Sequence, residues 1–152
     1  MNVALRPVAE SDFHAFYEQQ ADPESVAMAA VASRDRAAHD EHWRWALRQE
    51  SNRARTIVAD GVVAGHVVSF LRDGVGDLEV GYWVDRSLWG RGVATAALRA
   101  FLEEETRRPL TAGVATHNPG SRRVLEKCGF VVTETVRDAM GDGIDEWHLR
   151  LD

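Results

Sequence analysis

Leu78-Glu79-Val80-Gly81-Tyr82-Trp83-Val84 is followed closely by Trp89-Gly90-Arg91-Gly92-Val93-Ala94-Thr95. The first stretch has the composition and alternation of a β-strand. The second is a glycine-rich turn that opens a helical run, with Ala94, Ala97, Leu98 and Phe101 on one face. Just upstream, Arg55 to Ala59 and Val62 to Leu71 flank Asp60-Gly61, the signature of a two-residue hairpin turn. Asp73-Gly74 marks the next turn. A three-strand meander thus feeds a strand-to-helix turn, which a fully parallel doubly wound sheet does not do. The expected class is α+β (mixed α/β): a central mixed, mostly antiparallel sheet of about seven strands with helices on both faces.

The flanks fit this arrangement. Val3 to Leu5 reads as an opening strand, and Ser11-Asp12 precede a helix with Phe13, Phe16 and Tyr17 at helical spacing. Residues 21–34 are alanine-rich and carry no clear pattern. Asp35 to Glu50 reads as a second helix, with Trp43 and Trp45. After the turn at Gly92, the helix is expected to end near Pro109, with Glu103-Glu104-Glu105 as a solvated end. Leu110 to Ala115 is a short strand. Asn118 and Pro119 open another helix as cap and first residue, with Val124, Leu125 and Cys128 on its buried side, and Gly129 closes it. Phe130 to Val136 and Ile144 to Leu151 are the last strands.

With 152 residues, 45% hydrophobic and 28% charged, the chain has the size and balance of a single globular domain over residues 1–152. Its one cysteine, Cys128, cannot form an internal disulfide and reads as an inert buried thiol. No apolar run approaches a membrane span, and the N-terminus lacks the pattern of a signal peptide, so a cytoplasmic protein is expected. A net charge of −6 argues against sequence-independent nucleic-acid binding and mildly favours a cationic small-molecule partner. His39 and His42 lie three apart with no third ligand nearby, so no metal is expected.

The glycine turn invites a phosphate. Free N–H groups at a helix start, with the partial positive charge of the helix end, hold an anion with few side chains. A tight strand-to-helix turn without a ligand is the competing reading. The phosphate loop of nucleoside triphosphatases and the dinucleotide fingerprint are both excluded, because Gly-Lys-Ser/Thr and the third glycine are missing.

A third segment, His117-Asn118-Pro119-Gly120-Ser121-Arg122-Arg123-Val124-Leu125-Glu126-Lys127-Cys128-Gly129-Phe130, completes a set. Taken with the strand and the turn, it resembles the GCN5-related N-acetyltransferase (GNAT) superfamily, and more narrowly its ribosomal-protein N-terminal alanine acetyltransferase branch. The resemblance implies acetyl-coenzyme A as donor and an amine as acceptor: a protein N-terminus or a small molecule. It implies that Arg91, Gly92, Val93, Ala94 and Thr95 hold the pyrophosphate, that Tyr82, Trp83 and Val84 pair with the pantetheine, and that Asn118 contacts its arm. Many members place a tyrosine acid where this chain has Leu125. Ser121, the nearest hydroxyl, is then the candidate acid, with helix capping or coenzyme contact as its other readings. Glu79 is the candidate base, with a solvated outward carboxylate as the alternative. By the same analogy Trp43 or Trp45 borders the acceptor; packing is the plainer role for both. No placed nucleophile supports an acetyl-enzyme, so direct attack in a ternary complex is expected. A non-catalytic acyl-coenzyme A sensor and a structural protein of the same fold are the rivals, and a homodimer is open.

Overall fold

The computed structural model describes residues 1–30, 34–72 and 76–152. The turn expected at Asp73-Gly74 lies outside these residues. Seven strands form one sheet: β1 (Val3–Pro7), β2 (Arg53–Ala59), β3 (Val62–Leu71), β4 (Leu78–Val84), β5 (Leu110–Ala115), β6 (Val131–Val136) and β7 (Glu146–Leu151). Their order is β1-β2-β3-β4-β5-β7-β6. All neighbours are antiparallel except β4 and β5. The expected mixed, mostly antiparallel sheet is therefore the observed one.

Five α-helices accompany it: α1 (Phe13–Ala21), α2 (Pro23–Ala29), α3 (Arg36–Arg48), α4 (Val93–Glu104) and α5 (Pro119–Lys127). The second of these forms within the stretch that shows no periodicity. Its cause is local: Asp22 caps it by accepting from the Ser25 amide, Pro23 takes a first-turn position, and Ala30 stops it at φ 58°. The hairpin at Asp60-Gly61 forms as its sequence requires, with φ of 49° and 81° and Ala59 paired to Val62. Asn118 caps α5 by accepting from the Ser121 amide, with Pro119 following.

The two sheet faces carry separate cores. Ile57, Val67, Val80, Leu98, Phe101 and Leu125 pack under α4 and α5. Phe13, Phe16 and Trp43 pack under α1 and α3, against Ala54, Val63 and Val68. A bulge in the β2–β3 pairing sits beside Gly65, where β4 comes very close. A Cβ on Gly65 would run into the Trp83 carbonyl oxygen, so only glycine lets β4 lie there.

One expectation is overturned. Glu105 is not part of a solvated helix end: the helix stops at Glu104, and Glu105 is fully buried. Its carboxylate accepts from Ser69 Oγ at 2.5 Å and from Arg107 at 2.6 Å. Burial by itself would raise its pKa. The hydrogen bonds from Arg107 and Ser69 outweigh burial and hold the carboxyl down at about 2. Asp12, also buried, is held at about 2 mainly by the Arg6 guanidinium, with help from the Ala9 amide and Thr56. Past the end of α4, Glu105 turns inward to meet Ser69 of β3 and Arg107.

Because both carboxylates titrate lower in the folded chain, their contribution to stability is complete above the ordinary carboxylate range. It is lost as pH falls from about 4 toward 2. Glu105→Gln should cost about 2 kcal/mol at pH 7, the scale of a charged buried hydrogen-bond partner removed. Urea unfolding at pH 7 and pH 3 checks this: the gap between the variant and the natural chain should narrow at the lower pH, and a gap that widens would contradict it.

Candidate active site

The parallel pair β4–β5 is joined only at Leu78–Leu110 and Glu79–Thr111. Beyond it, β4 stays with β3 as far as Val84, while β5 runs along β7 to Ala115. The two strands part, and at that end of β4 lies a cavity of about 560 Å³, walled further by α2, α4 and α5. One edge of β4 is left facing this space. An exposed strand edge accepts an extended ligand as though it were another strand.

Each wall has its own origin. Tyr82, Trp83 and Val84 supply the β4 side. Gly90 and Gly92 turn the chain with φ of 75° and 78°, and Gly92 is the N-cap of α4 with no side chain satisfying the first amides. Val93, Ala94 and Thr95, the first turn of α4, face the cavity. Their N–H groups and the positive helix end suit an anion there. Asn118, Gly120 and Ser121 of α5 form the opposite wall, and Ser25, Met28 and Ala29 of α2 cover it. The Trp89 indole donates to the Val84 carbonyl at 3.0 Å and so fastens the turn to the end of β4.

The cavity thus gathers Tyr82, Trp83, Val84, Gly92, Val93, Ala94, Thr95, Asn118 and Ser121. Arg91 is exposed on the outside of the turn and is not in the lining. Two cations the sequence reading did not single out are in it: Arg123 and Lys127, one helical turn apart on α5. Their spacing was visible, but only the parting of the strands shows which face of α5 meets the ligand.

Ser121 has one partner that no spacing rule suggests. Its Oγ lies 2.6 Å from the Tyr82 hydroxyl, with either oxygen able to donate; when the phenol donates to the Ser121 carbonyl at 3.1 Å, Ser121 Oγ donates to it. Asn118, not Ser121, caps the helix. Burial pushes the Tyr82 phenol up to about 12. The phenol therefore stays protonated at neutral pH. Leu125 is buried in the core, with no contact to the cavity.

Glu79 lies on the opposite face of β4 from Tyr82, as alternation requires. It is outside the cavity lining, in a two-point ion pair with Arg72 at 2.8 and 2.7 Å. Trp43 is core, and Trp45 is 51% exposed. His39 is buried between Gln20 and Asp40, and His42 rests against Trp45. Among the described residues no group of three His, Cys, Asp or Glu is placed to hold a metal. Cys128 is half-buried outside the cavity lining, and burial pushes its thiol up.

A sequence profile of the Acetyltransferase (GNAT) domain matches residues 2–131. The chain belongs to the GNAT family. Among curated proteins it is similar to the probable N-acetyltransferase YjcK of Bacillus subtilis, 45% identical over 56 residues. That match spans 34% of this chain and 30% of the relative. The GNAT fold is equally clear in solved structures. The spermidine N-acetyltransferase of Vibrio cholerae, in complex with CoA and spermine, superposes with a TM-score of 0.84 at 15% identity, covering 98% of this chain and 94% of that one. The aminoglycoside acetyltransferase AAC(6')-Ib, in complex with coenzyme A, gives 0.80 at 22% identity, covering 99% and 94%.

The Tyr82 environment can be read directly. The chain has two tyrosines. In a Tyr17→Phe variant, ultraviolet titration of the remaining phenol should show a midpoint near pH 12 rather than the free value of about 10. A midpoint below 11 would mean that the pair with Ser121 is open to solvent.

Proposed function

We propose that this GNAT domain transfers the acetyl group of acetyl-coenzyme A to a primary amine, by direct attack within a ternary complex. The observation that carries the reading is the cavity at the parting of β4 and β5, with the uncapped start of α4 at its mouth. The Val93, Ala94 and Thr95 amides receive the pyrophosphate, and Arg123 and Lys127 add charge beside them. Tyr82, Trp83 and Val84 offer backbone to the pantetheine, and Asn118 lines the same slot. When bound, acetyl-coenzyme A supplies a thioester carbonyl for the amine nitrogen to attack and a thiolate to leave. Arg91, exposed on the turn, guides the anion electrostatically from outside the slot.

Proton handling divides between the faces of the sheet. Glu79, on the α1 and α3 side, takes the proton that the ammonium must lose before attack. Arg72 holds its carboxylate in one orientation. Ser121, on the other face, gives a proton to the departing sulfur, the Tyr82 hydroxyl at 2.6 Å passes its own proton to Oγ, and solvent reprotonates the phenolate at once. Base and acid thus stand on opposite sides of the strand that borders the thioester. The resemblance to the ribosomal-protein branch keeps a protein N-terminus in view as acceptor. The similar proteins whose names specify aminoglycosides and spermidine support a small-molecule amine. The same reading makes the protein cytoplasmic, where acetyl-coenzyme A is available, with no metal in the chemistry. A sensor without turnover would need the same cavity but no Glu79 and no Ser121–Tyr82 pair.

Two expected outcomes test this. Gly92→Val places a β-branched residue at a φ of 78° and should distort the turn. Calorimetry should show acetyl-coenzyme A binding weakened at least tenfold, about 1.4 kcal/mol. Equal affinity in a folded variant would remove the pyrophosphate assignment. For catalysis, Glu79→Gln should lower kcat by about 10²–10⁴-fold at neutral pH and recover as pH rises. Ser121→Ala should cost less, because a thiol with a pKa near 8.5 leaves as its anion with modest penalty. Wild-type turnover by folded Glu79→Gln from pH 6 to 9 would displace Glu79 as base.

A further inference from the structure

A second cavity, about 190 Å³, lies on the other face of the sheet, between α3 and strands β2 and β3. Nothing in the donor slot uses it. Trp43, Trp45 and Phe70 line it together with three imidazoles, His39, His42 and His66. An apolar cavity of about 150 Å³ is already enough for a benzene ring. A space of about 190 Å³ matches the size of a single planar ring with small substituents better than that of a multi-ring sugar.

His66 is the polar feature of that cavity. It is 7% exposed, and among the described residues neither ring nitrogen has a hydrogen-bond partner; Nδ1 is wholly enclosed. The ring is packed edge-on to Phe16 and Trp43, with centroids 4.9 and 4.8 Å away. Burial drives its pKa down to about 3, so at neutral pH it offers one donor and one acceptor without charge. A buried imidazole left in this state is an exception to the rule that enclosed polar groups are paired. Nδ1 is shut off by the surrounding protein, so Nε2 is the ring nitrogen left for a ligand with a polar ring edge.

Gly81 lies between residues that border this cavity and the end of β4 that lines the first one. Glu79, Gly81 and Trp83 face the same side as the cavity, and register puts Phe70 opposite Glu79 and Val68 opposite Gly81. A Cβ on Gly81 would stand 3.8 Å from Phe70 Cε1 and 3.9 Å from Val68 Cγ2, and both residues line the cavity. Bare backbone at Gly81 therefore leaves room for no more than a methyl-sized group beside Phe70 and Val68 at the border of the cavity. A ring held by Trp45 and His66 can extend an amine on a short arm past Gly81, beside Glu79. Charge narrows the class further. The described lining includes Arg34 but no aspartate or glutamate, so a polycation finds nothing there to neutralise it.

We propose that this cavity is the side-group pocket for the acceptor, and that the acceptor is a primary amine carrying one planar ring with a polar edge: an arylalkylamine or an aromatic amino acid. The proposal rests on the β4–β5 slot being the donor site, and the test separates the two.

Tyramine, phenylethylamine, spermidine and kanamycin serve as probes on the full chain. Calorimetry with and without coenzyme A should show saturable tyramine binding, weakened at least tenfold in Trp45→Ala, while spermidine gives no saturable heat. With acetyl-coenzyme A, thiol release should give kcat/KM at least tenfold higher for tyramine than for spermidine or kanamycin. Tyramine should exceed phenylethylamine, which lacks the polar edge, and His66→Phe should erase that preference. Gly81→Ala adds a methyl that meets only ordinary contacts, and it should raise KM for tyramine severalfold. Absence of tyramine binding to the folded chain, binding indifferent to Trp45→Ala, or spermidine turnover equal to that of tyramine would each overturn the pocket. Tyramine binding that responds to Trp45→Ala in a chain that does not bind acetyl-coenzyme A would sustain the pocket and overturn the donor site.

Discussion

The separation of β4 from β5 is the constraint on which the molecule is arranged. Each strand is fully committed along its other edge: β4 to β3 over seven residue pairs, β5 to β7 over six. Two parallel pairs, Leu78–Leu110 and Glu79–Thr111, hold them together at one end only. Neither can swing to close the gap without giving up its outer ladder. Backbone groups on the inner edge of β4 therefore stay available, which buried backbone seldom is. Sheet hydrogen bonding, rather than any special side chain, makes the slot.

The rest follows from that opening. The turn at Gly90 and Gly92 can set the start of α4 at the mouth because β4 ends there with β3 on one side and no strand on the other. The Trp89 indole, bonded to the Val84 carbonyl, ties turn to strand. The α5 helix approaches close enough for Ser121 to meet Tyr82 across the gap. Gly65 matters in the same way at longer range: a side chain there would strike the Trp83 carbonyl and push β4 out of its path.

β4 also divides the chemistry. Its alternation sends Glu79 and Gly81 toward α1 and α3, and Val80, Tyr82 and Val84 toward α4 and α5. In the proposed reaction, donor and acceptor sides are therefore two faces of one strand, meeting where its neighbour departs. The chain's net charge of −6 suggested a cationic acceptor, yet the described lining of the second cavity carries imidazoles, indoles and an arginine instead. Net charge is a sum over the surface, and a pocket of this size samples a few side chains of it.

Much of this was legible in the residues. The hairpin dipeptide, the alternating strand, the glycine turn and the Asn-Pro helix start are local signals with local causes, so Asp60-Gly61, Leu78–Val84, Gly92 and Asn118 declared their roles without a partner. The α2 helix escaped notice because its few apolar residues show no period; capping by Asp22 and Pro23 makes it. Glu105 was misread because charge pattern alone cannot report burial, and its partners Ser69 and Arg107 reach it only in the folded chain. The Ser121–Tyr82 pair, the entry of Arg123 and Lys127 into the slot, the Glu79–Arg72 ion pair and the cavity around His66 all join residues from different elements. The sequence by itself determined the elements, their order and the glycine turn. Only the tertiary structure decided which side chains meet, because strand register and the parting of β4 from β5 set those distances, and neither is written in any one stretch of the chain.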